Sequence, residues 1–286
     1  MKEKVLLSFS VLLLVLGILL IFSTFNLGKL RIIACDVGQR DSTLIITPGG
    51  SQVLIDGGPG KKVLECLSQK MPFWDRTVEM VVLTHPQKDH MEGLISVLEN
   101  YKAGTIVWTG VKGEGGLIAE WLRALDRQRE AVHIAYRGEN FMLDGVDFNV
   151  LWPSRDKLES WKIGGPGDLN DSSIVVRADF KAGNDNFCAY FTGDIPKEIL
   201  EGLISKPCEI LKVSHHGSKT GTDEKIIDAI KPKIAIIQVG KNSYGHPRGE
   251  VLELLRSKGV EIYRNDEDGV IEISSGDGGF VVKKEK

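Results

Sequence analysis

The chain has 286 residues, 42% of them hydrophobic and 32 of them glycine, enough to fill one large layered domain with a proper core. Its 36 Lys and Arg against 39 Asp and Glu leave a formal net charge of -3. That balance excludes nucleic-acid binding by bulk electrostatics, so any polyanion contact has to come from a local patch.

The first predicted element is an apolar run from Val5 to Phe22, interrupted by Ser8, Ser10 and Gly17 and preceded by Lys2 and Lys4. At roughly 18 residues it is just long enough to cross a hydrocarbon core as a helix, and the two lysines favour a cytoplasmic N-terminus. The following Ser23-Thr24-Phe25-Asn26-Leu27 offers no convincing small-x-small cleavage site. The expectation is a signal anchor or transmembrane helix over 1–28, single-pass in the cell membrane, with a catalytic domain over 29–286 outside the cytoplasm. A cleaved, secreted form is the lesser reading.

Strands and helices then alternate as in an α/β layer structure. Strands are predicted at Lys29 to Cys35 and Thr43 to Ile46, around the turn Asp36 to Ser42, and at Gln52 to Ile55, which runs into Asp56-Gly57-Gly58. A helix over Lys61 to Gln69 is followed by a short buried strand, Met80 to Leu83, and by a helix over Glu92 to Asn100. Gly104 to Trp108 is a strand, Gly116 to Gln128 an amphipathic helix, and Phe141 to Leu151 two short strands about Asp144-Gly145. Pro, Gly and charged residues cluster without periodicity over Ser154 to Leu169, which reads as a loop, either over the site or on the plain surface. Ser173 to Phe180 and Asn186 to Phe191 form a hairpin. Helices at Pro196 to Leu203, Asp223 to Ile230 and Gly249 to Lys258 alternate with strands at Glu209 to Val213, Ile234 to Val239, Glu261 to Tyr263 and Val270 to Ser274. Cys35, Cys66, Cys188 and Cys208 are widely spaced with no Cys-x-x-Cys pair, and Cys35 and Cys188 read as small buried hydrophobes, so no disulfide is claimed from the sequence.

Five of the six histidines sit in short motifs at the ends of these strands: Thr84-His85 through Asp89-His90, Ser214-His215-His216-Gly217-Ser218, and Gly245-His246-Pro247. Imidazole nitrogen with carboxylate oxygen suits zinc, manganese or iron, and the reading is a metallohydrolase. His133 has no motif around it and reads as an ordinary surface or core histidine.

The ordered set Asp36-Val37-Gly38-Gln39, Leu54 to Gly58, Thr84 to His90, Thr192-Gly193-Asp194, Ser214 to Ser218 and Gly245 to Pro247 resembles the metallo-β-lactamase superfamily. More narrowly, it is similar to the extracytoplasmic domain of ComEC-type DNA-uptake proteins. The resemblance covers about residues 29 to 280 and implies a four-layer αββα sandwich with metal at one edge between two sheets. It further implies His85, Asp89, His90, Asp194 and His215 as metal ligands, with Asp194 bridging two ions and Asp56 orienting a ligand imidazole. Asp89, Asp194 and His246 are the catalytic candidates. His216, Ser218 and Lys219 are candidates for a substrate phosphate, where Gly217 lets backbone amides approach.

Two departures matter. Gln87 stands where the superfamily has His or Asp, and Leu169-Asn170-Asp171-Ser172-Ser173 stands where it usually has another His, leaving Gln87, Asn170 and Asp171 as weak ligands. One tight and one weak divalent site are therefore expected, zinc or manganese, with magnesium as a further candidate for the oxygen-rich weak position. Arg40 replaces a usual Gly and faces either a phosphate or solvent. Three readings follow: a membrane-anchored phosphodiesterase or nuclease acting on DNA, with a separate DNA-uptake channel protein as partner; a metallohydrolase on another ester or a phosphorylated envelope substrate; or a non-catalytic DNA- or partner-binding module with a decayed site.

Overall fold

A computed structural model describes residues 9–13, 15–17, 28–113, 115–128, 131–182, 185–276 and 279–286. Residues 9–13 and 15–17 are helical, and the rest of the anchor expected over 1–28, up to residue 27, lies outside the described residues. Among the described residues no helix is long and apolar enough to cross a membrane.

In chain order the strands are β1 (Arg31–Ala34), β2 (Thr43–Ile46), β3 (Gln52–Ile55), β4 (Thr77–Val82), β5 (Lys102–Trp108), β6 (Val132–Ile134), β7 (Asn140–Leu143), β8 (Val146–Trp152), β9 (Val175–Ala182), β10 (Asp185–Phe191), β11 (Ile210–Lys212), β12 (Ile234–Ile237), β13 (Glu261–Arg264), β14 (Ile271–Gly276) and β15 (Gly279–Lys284). They make two sheets, β15-β14-β1-β2-β3-β4-β5-β6 and β13-β12-β11-β10-β9-β8-β7. β3 to β6 run parallel, as do β10 to β13, so their C-terminal ends point the same way.

Alternation along each strand sorts residues into layers, because successive side chains leave opposite faces. Ile32 and Ala34 enter the core between the sheets, while Ile33 and Cys35 enter the layer beneath the helices Lys62–Lys70, Lys88–Asn100 and Gly116–Arg127. Likewise Ile234 and Ile236 face the centre, and Ala235 and Ile237 pack under Glu224–Ile230 and Gly249–Ser257. Strands covered on both faces read as continuous apolar runs. The result is an α/β sandwich of two sheets between two helical layers.

Besides β6 and a short helix at Asn265–Asp268, which the sequence reading did not include, three features depart from it. Arg155–Gly164 is a helix, begun by Ser154, whose hydroxyl accepts the Lys157 N–H at 3.3 Å. Its apolar face is thin, chiefly Leu158 and Trp161, which is why periodicity did not reveal it. Edge strand β15 extends the first sheet, seating Phe280 and Val282 against the central core. Two disulfides join Cys35 to Cys66 and Cys188 to Cys208, with Cα atoms 5.9 and 5.3 Å apart. Pairing depends on a strand end lying beside the helix Lys62–Lys70, and on β10 lying beside the segment before β11. Cysteine spacing carries no record of either.

Candidate metal centre

The turn after β3 is the first piece of the site. Asp56 is buried in a left-handed conformation (φ 58°) and accepts three hydrogen bonds. The Thr84 N–H donates to Oδ1 at 2.8 Å, and the Thr84 hydroxyl and His90 Nδ1 donate to Oδ2 at 2.7 and 2.8 Å. Gly57 and Gly58 let this turn lie against the helix Lys88–Asn100. A Cβ on Gly93 would come 2.0 Å from the Gly57 carbonyl oxygen, and one on Gly57 would come 2.3 Å from Leu94 N. The turn thereby aims His90 Nε2 at Asp194, 3.4 Å from its Oδ2.

The second sheet supplies the facing groups. Asp194 follows β10, its N–H donating to Ser173 Oγ at 3.2 Å. His215 and His216 follow β11, both left-handed (φ 51° and 55°). Side-chain-bearing residues there cost roughly 1–2 kcal/mol each, and such strain persists where the surroundings over-determine it. Here the Ser214 hydroxyl donates to Ile195 O at 2.6 Å, His215 N–H to Gly193 O at 3.2 Å, and Ser218 N–H to His215 O at 2.9 Å. His216 ends fully inside, with Nδ1 2.9 Å from Gln238 O and 3.1 Å from Asp41 Oδ1, and Nε2 3.3 Å from Asp194 Oδ2.

Ligand atoms of Asp89, His90, Asp194 and His216 lie within 4.8 Å of one another. His85 is adjacent, its ring 4.1 Å from that of His90, with Nδ1 beside the Thr84 and Ser173 hydroxyls. The buried atoms His85 Nε2, His90 Nε2, His216 Nε2, Asp194 Oδ1 and Asn170 Oδ1 have no hydrogen-bond partner. Unpaired buried polar groups are costly, and imidazoles whose far nitrogens are already held by carboxylate, carbonyl or hydroxyl are the arrangement that orients metal ligands. The donor set fits a divalent cation.

Electrostatics point the same way. Burial pushes the Asp194 carboxyl up, but the facing His216 and His90 outweigh it and hold it well below the usual carboxylate range. Burial likewise opposes charge on His216, yet Asp194 and Asp41 carry its pKa up to about 9, and Asp194 and Asp56 raise His90 well above its ordinary value. Burial keeps His85 and His215 low, and burial with the neighbouring His215 takes His246 down to about 4. Two buried carboxylates, Asp41 and Asp194, thus face His90 and His216, with His85 and His215 beside them, a set of groups that could hold a cation.

The remaining predicted residues divide by place. Gln87, Asn170, His215 and His246 line a cavity of about 380 Å³ together with Asp89, Asp194, His216, Gln39, Arg40, Asp168 and Tyr244. His215 Nε2 lies 4.0 Å from Asp194 Oδ2 and is part-exposed. Asp171 is not on that cavity, and its carbonyl accepts the Trp152 indole N–H at 2.7 Å. Ser218 pairs with Thr220 at 2.9 Å, beside His215, and Lys219 is exposed. Arg40, left between phosphate and solvent by the sequence, grips Asp89 at 2.7 Å.

No protein-family model matches the chain. It is 28% identical over 270 residues to ComE operon protein 3 of Bacillus subtilis, covering 83% of this chain and 32% of that protein. It is 27% identical over 260 residues to Recombination protein 2 of Haemophilus influenzae (87% and 29%) and 28% identical over 215 residues to Competence protein ComA of Neisseria gonorrhoeae (73% and 27%). The chain thus spans a third or less of the length of these relatives. Among solved structures it is similar to YhfI from Bacillus subtilis, described as a metallo-beta-lactamase fold protein (TM-score 0.55, 12% identity, 86% of this chain and 99% of that one). It is also similar to CmlA, a diiron beta-hydroxylase from Streptomyces venezuelae (TM-score 0.57, 13% identity, 87% and 54%).

This chain has the metallo-β-lactamase fold and resembles ComEC-type proteins. Within this fold the sequence reading missed Asp41 and Lys212. Lys212 is buried in a close ion pair with Asp41, donates to Gly193 O at 2.9 Å, and lies 3.8 Å from Asp194 Oδ1. The signal was present, a lone lysine within the predicted strand Glu209 to Val213, but only the folded sheet puts it beneath Asp194.

Proposed function

We propose that this chain is a membrane-anchored, metal-dependent hydrolase that cleaves DNA phosphodiesters outside the cytoplasm, in a ComEC-like role beside a separate channel protein. The observation that carries the reading is the convergence of the unpartnered nitrogens of His216 and His246 with Asp194 on a polar cavity that continues into a groove bearing basic side chains, of which Arg40 is paired with Asp89 and Lys88 lies 3.8 Å from Glu92. That groove, about 550 Å³, shares Gln39, Arg40, Asp89 and Tyr244 with the cavity and adds Lys88 and Lys241. It is the local patch that a net charge of -3 demands of a polyanion binder, with the exposed Tyr244 ring available for stacking.

Asp89, His90, Asp194 and His216, with His215 at the edge, would hold the tighter ion, and His85, Gln87 and Asn170 the weaker one. Bound zinc, manganese or magnesium supplies Lewis acidity toward the phosphoryl oxygen and lowers the pKa of a bound water. Arg40, between Asp89 and the cavity, is placed to meet a phosphate oxygen. His246, with its Nδ1 unpartnered and its pKa taken down to about 4 by burial and the neighbouring His215, is neutral at neutral pH and is placed to hydrogen-bond a substrate oxygen rather than to deliver a proton. The competence proteins among the relatives support the DNA reading, and two disulfides support an oxidising compartment.

The test is cleavage of single-stranded and duplex DNA by the full chain in detergent with manganese, magnesium or zinc, beside His90→Ala. Cleavage that requires metal and falls to background in the variant is expected. Metal binding without cleavage of either DNA would instead favour another ester substrate.

A further inference from the structure

At the end of the molecule opposite the metal centre, the loop between the helix Lys62–Lys70 and β4 carries two exposed aromatics. Phe73 is 78% and Trp74 53% accessible, and their rings meet edge to face at 4.8 Å. Large apolar side chains displayed together on a soluble face mark a contact surface. This loop sits where the chain enters the domain. Gly28 N–H donates to Pro48 O at 2.9 Å in the β2–β3 turn, and the side chain of Gln52, the next strand's first residue, donates to Asp75 Oδ2 at 3.2 Å. The apolar run Val5 to Phe22 therefore precedes a residue lodged on the same end of the sheet as Phe73 and Trp74.

The charges at this end are sorted. Asp75 accepts the Thr77 N–H, Glu79 the Gln52 N–H, and Asp144 the Ser51 N–H and Thr47 hydroxyl, so these carboxylates keep their charge but are tied to local donors. Lys29, Arg76 and Lys102, at the starts of β1, β4 and β5, are exposed. Aromatic rings flanked by basic side chains suit the boundary between acyl chains and anionic headgroups.

We infer that the Phe73–Trp74 loop, with Lys29, Arg76 and Lys102, docks this end of the domain on an anionic phospholipid surface. The inference rests on the reading of 1–28 as a membrane anchor. It gives the domain an orientation: strands rise about 3.3 Å per residue, so the run from Thr77 to His85 holds the metal centre roughly 25 Å from the bilayer with its mouth turned outward.

Trp74 is a built-in probe. The chain has five tryptophans; Trp108, Trp121 and Trp152 are buried and Trp161 is half-buried. The full chain is reconstituted into phosphatidylcholine–phosphatidylglycerol vesicles with brominated or ordinary acyl chains, and its flotation and tryptophan emission are measured beside Trp74→Phe. The expected result is bromine quenching in the wild-type chain that disappears in the variant, and that weakens in vesicles lacking phosphatidylglycerol. Equal quenching in the two proteins, with both floating, overturns the docking while leaving the anchor intact. A chain that does not float removes the anchor and the docking together. A concentration-dependent dimer that Phe73→Ser with Trp74→Ser abolishes, without lipid quenching, would show that a second copy covers the loop and would also overturn the docking.

Discussion

Asp56 shows how much a single buried carboxylate does in this site. It accepts from the Thr84 N–H and hydroxyl and from His90 Nδ1, so it ties the ends of two neighbouring strands together and sets the tautomer that leaves His90 Nε2 free. Asp56→Asn preserves shape and tolerates the left-handed backbone, yet its amide can offer a donor where two donors already point. The variant is expected to fold and to lose roughly 10- to 100-fold in divalent-metal affinity, the usual effect of removing such a partner. Isothermal titration with manganese or zinc measures it, and unchanged affinity would deny Asp56 any part in orienting a ligand. Asp56 was singled out through the family resemblance, since an aspartate before Gly-Gly reads by itself as a turn residue, and its bonds to Thr84 and His90 exist only in the fold. The relative depth of His215 and His216 was not legible, since adjacent residues in one motif are told apart only by the backbone, here two left-handed steps in succession.

Among the elements, the helix Lys88–Asn100 bears the heaviest constraint. It brings Asp89 and His90 to the centre on its first turn and meets the Asp56 turn backbone to backbone, with the Gly57 N–H donating to His90 O and the Gly93 N–H to Gly58 O, both at 2.9 Å. Gly93→Ala forces that contact apart, since the new Cβ would sit 2.0 Å from a carbonyl oxygen with no flexible side chain to yield. A cost of about 1–3 kcal/mol is expected, with weakened metal binding because His90 moves with the helix. Urea unfolding and metal titration of one preparation test both, and a fully stable variant with wild-type affinity would contradict the packing argument. The existence of this helix was plain from apolar spacing over Glu92 to Asn100. Arg155–Gly164 was hidden because one buried anchor, Leu158, and a half-buried Trp161 amid charged residues make no stripe.

As a whole the molecule is two sheets clamped at both ends. Beside the metal centre, Gln238 accepts from the Thr43 hydroxyl at 2.8 Å and donates to Ser42 O at 2.6 Å, joining β12 to β2. At the far end Asp144, in the β7–β8 turn, accepts from the Thr47 hydroxyl at 2.6 Å and the Ser51 N–H at 3.2 Å, joining the second sheet to the first. Those bonds, the Thr47 hydroxyl foremost, lower the Asp144 pKa. A carboxyl depressed in the folded state adds stability above its unfolded pKa of about 3.9, and that stability is lost as pH falls through the folded value. Asp144→Asn, which keeps the left-handed turn, is therefore expected to be less stable than wild type at pH 7, by about 1 kcal/mol or less. The gap should close as the pH drops below about 4. Urea midpoints across pH 3 to 7 give the answer, and a gap independent of pH would assign the effect to packing instead of charge.

What the sequence by itself determined is local and periodic. Alternating apolar residues laid out most of the strands, helical spacing most of the helices, and motif order the kinship with ComEC-type domains, with chemistry at the strand ends. Tertiary structure alone decided which of those ends meet. It joined Cys35 to Cys66 and Cys188 to Cys208, buried His216 against Asp41 and Asp194, set Lys212 beneath them, turned Arg40 onto Asp89, and placed Phe73 and Trp74 beside the chain's entry. The reason is physical: hydrophobic pattern records which face of an element is buried, and says nothing of which distant element buries it. The contacts that make this centre cross between two sheets whose strands are separated by more than a hundred residues.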